Sequence, residues 1–345
     1  MKNGGYLNWL AGETPTMWWH DSGDPDELTA GLSRGATGVT TNPVLTHRAL
    51  CSRPDAWAGV LEDASHSDSP PEHAEHLLRA VVRNAAKMFE HEYERSEGDN
   101  GYVCAQVDPS KAGDREAMAR MAERFHAWAP NIAVKLPATA AGLDVLEDCC
   151  AQGITVTATV SFSLPQVIAV AERYTRACER AGHTGNKPGR CFAVIMIGRL
   201  DDYVRDVVKD AGMDKDISES DIIQAGLAVT KRAYSVFKER GYRARLIIAA
   251  LRGTYHMEEL AGAELIMSIH PKYQAMLLKP DIPRDPERIH DPVAQDVIGR
   301  LKDVPEFVRA FEPDGMGPEE FIGFGPVQRT LSQFYEKGWS QLETM

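Results

Sequence analysis

The run Asn131 to Thr139, Asn-Ile-Ala-Val-Lys-Leu-Pro-Ala-Thr, places one lysine, Lys135, inside an apolar string that closes on a proline. A strand buried on both faces is a continuous hydrophobic run, so a cation within it needs a reason. Burial disfavours the ammonium and lowers its pKa, which is how a protein obtains a nucleophilic amine near neutral pH. Two plainer arrangements fit the same segment: pairing with a buried carboxylate, or an amine reaching outward from a strand end. Polar residues recur at the ends of other apolar runs: Asp21, Thr40 with Asn42, Gln106 with Asp108, Thr157 with Thr159, Arg199 and Arg252. A carboxylate near an amine offers acid/base chemistry, and two guanidiniums suit a phosphate because each donates a forked pair of hydrogen bonds. Taken singly, these residues have ordinary roles: Asp21-Ser-Gly-Asp-Pro-Asp as a loop and helix cap, Asn42-Pro43 as a turn. Taken together, they describe a site assembled from many strand ends.

The elements that must position them alternate along the chain. Strands are expected at 17–20, 38–41, 102–107, 132–136, 154–160, 192–197, 246–250 and 265–268. Between them lie amphipathic helical patterns, such as Leu77, Leu78, Val81, Val82, Ala85, Met88 and Phe89. Thr139 is placed to cap one helix, and Ser163 followed by Pro165 the next. Eight strands separated by helices predict a single (β/α)8 TIM barrel over residues 1–345, with chemistry at the C-terminal ends of its strands. Segments 69–71, 183–189 and 279–292 are rich in turn formers. The region 279–317 is expected to be an insertion or extended loop. Residues 318–345 carry an apolar face (Phe321, Val327, Leu331, Phe334, Trp339, Leu342) and predict a C-terminal helix, packed on the barrel wall or covering its mouth.

Composition narrows the class further. Residues 1–6 lack the basic-then-apolar build of a signal peptide, and no apolar run is long enough to cross a bilayer, so a soluble cytoplasmic protein is expected. The six cysteines form no CxxC pair and are expected to be reduced thiols. A formal charge of −12 argues against nucleic acid or an anionic membrane as partner, and an anionic substrate would need locally placed arginines. There is no GxGxxG and no P-loop. His73 and His76 lie one helical turn apart without a third ligand in view, which suits a solvated helix face.

Several motifs carry a resemblance: Asp21-Ser-Gly-Asp-Pro25, Gly38-Val-Thr-Thr-Asn-Pro43, Val134-Lys-Leu-Pro-Ala-Thr139, Thr159 with Ser161-Phe-Ser163, Ile197-Gly-Arg199, and Arg252 before Glu259-Leu-Ala-Gly262. In this order and register the chain resembles the transaldolase family. The resemblance implies a (β/α)8 barrel and class I aldolase chemistry with no metal or organic cofactor. It implies that Lys135 forms a Schiff base with a ketose phosphate and that Asp21 takes the hydroxyl proton as the carbon–carbon bond breaks. Thr159 would help hold the water of the imine steps, and Asn42 would bind donor hydroxyls. Arg199 and Arg252 would hold the phosphate, and Thr40 and Thr157 join the expected substrate-binding set.

The chain departs from the family at several of these places. Gln106 stands where transaldolases usually have a glutamate, and is similar to the glutamine of the fructose-6-phosphate aldolase branch; with Lys135, Asp21 and Thr159 it completes the expected catalytic set. Thr157 replaces an asparagine, Val194 and Ala250 replace serines, and Met196 replaces an aromatic ring. The leading expectation is a transferase moving a dihydroxyacetone unit between sugar phosphates. The alternatives are an aldolase or lyase of the same mechanism on a non-standard ketose, and a weakly active phosphosugar-binding barrel. Retention of Lys135 and Asp21 argues against the last, since binding alone needs no buried nucleophile. A homodimer is the candidate assembly.

Overall fold

The apolar runs become eight strands in the computed structural model: β1 (Met17–His20), β2 (Gly38–Val39), β3 (Tyr102–Gln106), β4 (Ile132–Pro137), β5 (Val156–Thr159), β6 (Cys191–Met196), β7 (Arg245–Ala249) and β8 (Ile266–Ile269). The structure describes residues 5–67, 69–279 and 281–345. The part of the N-terminal reading that falls on residues 1–4, and position 280 of the turn-rich segment, lie outside the described residues. Every neighbouring pair of strands is parallel and in chain order, and β8 pairs back with β1, so the sheet closes into the (β/α)8 barrel expected. Parallel neighbours cannot be joined by a hairpin, so each return needs a crossover, and helices cover the outside. Helix Pro70–Arg95 shows the pattern: Leu77, Leu78, Val81, Val82, Ala85 and Phe89 are fully buried on one face.

Strand boundaries differ slightly from expectation, chiefly at β2, which stops at Val39, and β5, which starts at Val156. Thr139 and Ser163 cap their helices as expected, accepting the backbone N–H of Gly142 and Gln166 respectively. The N-terminal side of the barrel is closed by aromatic rings: Phe192 meets Trp19 and Tyr102 edge-on at 4.8 and 5.6 Å. Only glycine fits at position 38, because a Cβ there would lie 2.6 Å from the Trp19 indole. The filled floor leaves the opposite end for chemistry.

Two expectations about the C-terminal third need correction. Region 279–317 is not an extended loop throughout: it holds a 3-10 turn at Arg288–His290 and helices Gln295–Leu301 and Pro305–Phe311. Ile298, Leu301, Val304, Phe307 and Ala310 bury the face that its proline-rich start obscures. Residues 318–345 do not begin as one helix: a short helix at Pro318–Phe321 precedes an unbroken helical run from Gly325 to Glu343, within which Tyr335–Trp339 forms a π turn. Gly338 explains the course of the chain there. A Cβ at this position would come within 2.6–2.8 Å of Pro43 and Val44, so the tail lies directly on the start of the helix that follows β2. Among the described residues no helix is long and apolar enough to cross a membrane.

Candidate active site

A cavity of about 280 Å³ opens at the C-terminal ends of the strands. Its wall includes Asp21, Thr40, Asn42, Lys135, Thr159, Arg199 and Arg252, contributed by β1, β2, β4, β5, β6 and β7 or by the residues just after them. Seven of the nine expected site residues therefore share one chamber. Gln106 and Thr157 are not part of the wall. Both are buried, and Thr157 Oγ1 accepts the thiol of Cys104 at 3.5 Å. Asp108, a conceivable substitute acid/base, is also absent from the wall and caps a 3-10 turn through Ser110.

Lys135 is 6% exposed and has no salt bridge among the described residues. Its Nζ donates to the Thr41 carbonyl at 3.0 Å. Burial lowers its pKa; Cys104 and Asp21 oppose that fall and Arg199 adds to it. Both plainer arrangements for this lysine are thereby removed, since it neither pairs with a carboxylate nor reaches solvent.

Asp21 follows β1 directly and is the only carboxylate on the cavity wall among the described residues. A short hydrogen-bond chain orients it. Thr40 Oγ1 donates to Asp21 Oδ1 at 2.8 Å, so the 2.6 Å contact between Thr40 and Ser268 has Ser268 donating. Thr40 is thus an aligner of the carboxylate as much as part of the wall. Asn42 spends its carbonyl on the helix cap, accepting the Leu45 N–H at 3.0 Å, and so presents its NH₂ as the donor left for a ligand.

The end of β5 is braced from behind. Val160 has φ +52°, a costly conformation for a β-branched residue. The buried amide of Gln166 holds it: Nε2 donates to Val160 O at 3.1 Å and Ala138 O at 3.3 Å, while Oε1 accepts the Phe162 N–H. One side chain thereby ties together the loops after β4 and β5, next to Lys135 and Thr159. Of the five buried side-chain oxygens that make no hydrogen bond among the described residues, three lie on β3, β5 or just after it: Gln106 Oε1, Thr159 Oγ1 and Ser161 Oγ.

The cationic side of the chamber comes from β6 and β7. Arg199, on helix Ile197–Asp210, donates to Gln333 and Thr330 and lies over the Phe334 ring, 5.2 Å from its centroid. Burial and the nearby Arg252 charge push its pKa down to about 10, so it remains charged at neutral pH. Arg252 is partly exposed and paired with Asp202 at 2.5 Å. Arg48, Lys272 and His270 also line the mouth, so the wall is strongly basic in a chain of net charge −12. Sequence reasoning missed these three, Ser268, Gln166, and the tail residues Gln333 and Phe334. Most sit on helices or the tail instead of strand ends; Ser268 and His270 were findable, at and just beyond the end of the expected eighth strand.

A lysine, a carboxylate and two arginines at the mouth of a closed barrel match what the motifs imply, and comparison with known sequences decides the family. Residues 18–304 match the family model described as transaldolase/fructose-6-phosphate aldolase. The chain belongs to this family. Among relatives in the transaldolase/fructose-6-phosphate aldolase family, a transaldolase of Thiobacillus denitrificans is 30% identical over 270 residues, covering 70% of this chain and 74% of that one. A transaldolase of Mycolicibacterium paratuberculosis is 28% identical over 233 residues, or 64% of this chain, which spans 61% of that relative's length. One from Renibacterium salmoninarum is 26% identical over 345 residues, covering 94% of this chain and 91% of its own.

Proposed function

We propose that this protein is a transaldolase-type transferase that moves a dihydroxyacetone unit between sugar phosphates through an imine on Lys135. The observation that carries the reading is the state of Lys135. It is buried, without a carboxylate partner, lowered in pKa, and on the wall of a chamber it shares with one carboxylate and two arginines. Holding a lysine there costs stability, and a nucleophilic amine is what the cost obtains.

In this reading the neutral amine adds to the C2 carbonyl of a ketose phosphate, and loss of water gives a protonated imine. Asp21 removes the proton of the C4 hydroxyl; the C3–C4 bond breaks and its electron pair moves toward the iminium nitrogen, leaving an enamine on Lys135. The aldehyde phosphate leaves, an acceptor aldehyde takes its place, and the same steps run backward. Asn42 donates to hydroxyls of the three-carbon unit. Thr159 holds the water that imine formation releases and hydrolysis consumes, which suits a buried hydroxyl on the cavity wall with no protein partner among the described residues; Gln106, behind that wall with its own Oε1 unpartnered, acts on this water through a second, buried one. Arg199 and Arg252 bind the phosphate, with Val194 and Ala250 offering no hydroxyl to assist.

The test is incubation with fructose 6-phosphate, with and without erythrose 4-phosphate, following the fate of the three-carbon unit. A seven-carbon ketose phosphate formed only with the acceptor supports transfer. Free dihydroxyacetone formed at a comparable rate without it would make the protein an aldolase, and no turnover or adduct at all would overturn the imine reading.

A further inference from the structure

The loop after β7 is fastened to helix Ile197–Asp210 by two separate sets of hydrogen bonds. The first uses the Arg252 side chain: Nε and Nη2 donate to Asp202 Oδ2 at 2.9 and 2.5 Å, and Nη1 turns back to the Ala250 carbonyl at 2.8 Å. The second uses its backbone. The Arg252 N–H donates to His256 Nδ1 at 3.2 Å. With Nδ1 accepting, the ring proton belongs on Nε2, which lies 3.1 Å from Asp201 Oδ2. The other Asp201 oxygen accepts the Gly226 N–H at 2.8 Å. His256 and Asp201 are both 0% exposed and neither lines the cavity.

We propose that His256 and Asp201 are positioning residues for the phosphate subsite, setting the place of Arg252 through its backbone N–H. The inference rests on the reading of Arg252 as a phosphate ligand and adds residues that never touch substrate. Asp201 and Asp202 are consecutive on the helix that carries Arg199. One helix turn therefore fixes both arginines relative to each other, Asp202 through a guanidinium and Asp201 through an imidazole.

The loop needs such a device. Ala250 has φ +57°, a left-handed conformation that persists only where the surroundings enforce it. Its neighbour Gly198 passes so close that a Cβ would lie 2.4 Å from Arg252 Cγ and 2.5 Å from the Ala250 carbonyl. Because positions 194 and 250 carry no hydroxyl, anion binding depends on where the guanidiniums sit. An Asp202 carboxylate at one end of a long, partly exposed side chain cannot by itself define that place, since the side chain has several rotatable bonds. A buried acceptor on the backbone can.

Three substitutions separate positioning from general stability. Asn at 256 keeps an acceptor close to the Nδ1 position; Gln keeps a polar partner for Asp201 but withdraws the acceptor from the Arg252 N–H. Asp201→Asn retains shape while removing one of the two acceptors that orient the chain. Steady-state kinetics with fructose 6-phosphate and with unphosphorylated fructose as donors, beside Arg252→Ala and thermal unfolding of each variant, gives the readout. His256→Gln and Asp201→Asn are expected to raise KM for the phosphorylated donor about 10-fold, the scale of one hydrogen bond, with kcat and the unphosphorylated donor changed less than about 2-fold. His256→Asn is expected to restore most of the affinity. Equal losses on both donors, or Asn and Gln behaving alike, would make the pair merely structural and overturn the proposal; Asp201→Asn decides the matter should His256→Gln not fold. If Arg252→Ala leaves KM for the phosphorylated donor unchanged, the phosphate reading of Arg252 fails first and the positioning role falls with it. A KM rise for Arg252→Ala with none for His256→Gln or Asp201→Asn would overturn the positioning role alone.

Discussion

The amine of Lys135 on β4 donates to the backbone carbonyl of Thr41, just beyond β2, at 3.0 Å. A carbonyl accepts from a neutral amine as well as from an ammonium; it binds the ammonium more strongly but brings no counter-charge, and burial outweighs it. The contact therefore fixes the direction of Nζ without restoring the pKa that burial lowers. It also points the amine across the barrel, toward the residue preceding Asn42.

Borohydride added with a ketose phosphate is expected to leave a three-carbon adduct on the peptide containing Lys135. Peptide mass mapping reads the result. An adduct on another lysine, or turnover without any adduct, would remove Lys135 from the mechanism.

The rate of that trapping should rise with pH and level off below the pH at which an ordinary lysine, pKa about 10.4, would do so. Imine formation needs the uncharged amine, and burial makes that form available at lower pH. The signs for its neighbours follow from the charges. Asp21 holds the pKa up, so Asp21→Asn should move the plateau to lower pH; Arg199 pushes it down, so Arg199→Ala should move it higher. The same burial has a stability counterpart: the unfolded chain binds the proton more tightly, so this residue's contribution improves as pH rises. Lys135→Met is accordingly expected to stabilise the inactive protein by about 1–2 kcal/mol at neutral pH in urea unfolding.

Asp21→Ala should lose most turnover, on the order of 10²–10⁴-fold, while still accumulating a reducible adduct on Lys135. Single-turnover trapping beside steady-state assay separates the two steps. Near-normal turnover in this variant would place the acid/base elsewhere.

Replacing Arg199 or Arg252 by Ala should weaken the use of phosphorylated substrates by about 1.5–3 kcal/mol, the scale of hydrogen bonds to charged groups. Unphosphorylated analogues should change little. Arg199 also ties down Gln333 and Thr330, so its variant should in addition loosen the tail, measurable as faster amide exchange over 325–334.

Gln106→Glu should raise turnover on fructose 6-phosphate plus erythrose 4-phosphate, by up to about 10²-fold, because a glutamate can exchange protons with water where a glutamine only orients it. A new titrating group should appear in the pH–rate profile. Loss of activity in a folded variant would mean that Gln106 is fitted to a different substrate.

Much of this molecule was legible in its sequence because the signals are local. A buried strand writes itself as an apolar run, a helix as a 3.6-residue stripe, a cap as Thr139 or Ser163, and a barrel as their alternation. Lys135 stood out for the same reason: it breaks a pattern that neighbouring residues establish. What the sequence did not contain are relations between residues far apart along the chain. Only closure of the barrel set Ser268 against Thr40 and so fixed which way the Asp21 carboxylate is held. Only docking of the tail on Pro43 and Val44 brought Gln333 and Phe334 over Arg199. The sequence places Gln106 at the end of β3 and Thr157 near the end of β5, yet neither reaches the cavity wall. Whether a strand-end side chain reaches the chamber depends on strand tilt and stagger, properties of the closed sheet as a whole. The pairing of His256 with Asp201 is of the same kind: two unremarked residues 55 positions apart, joined because a helix and a loop pack in one buried place.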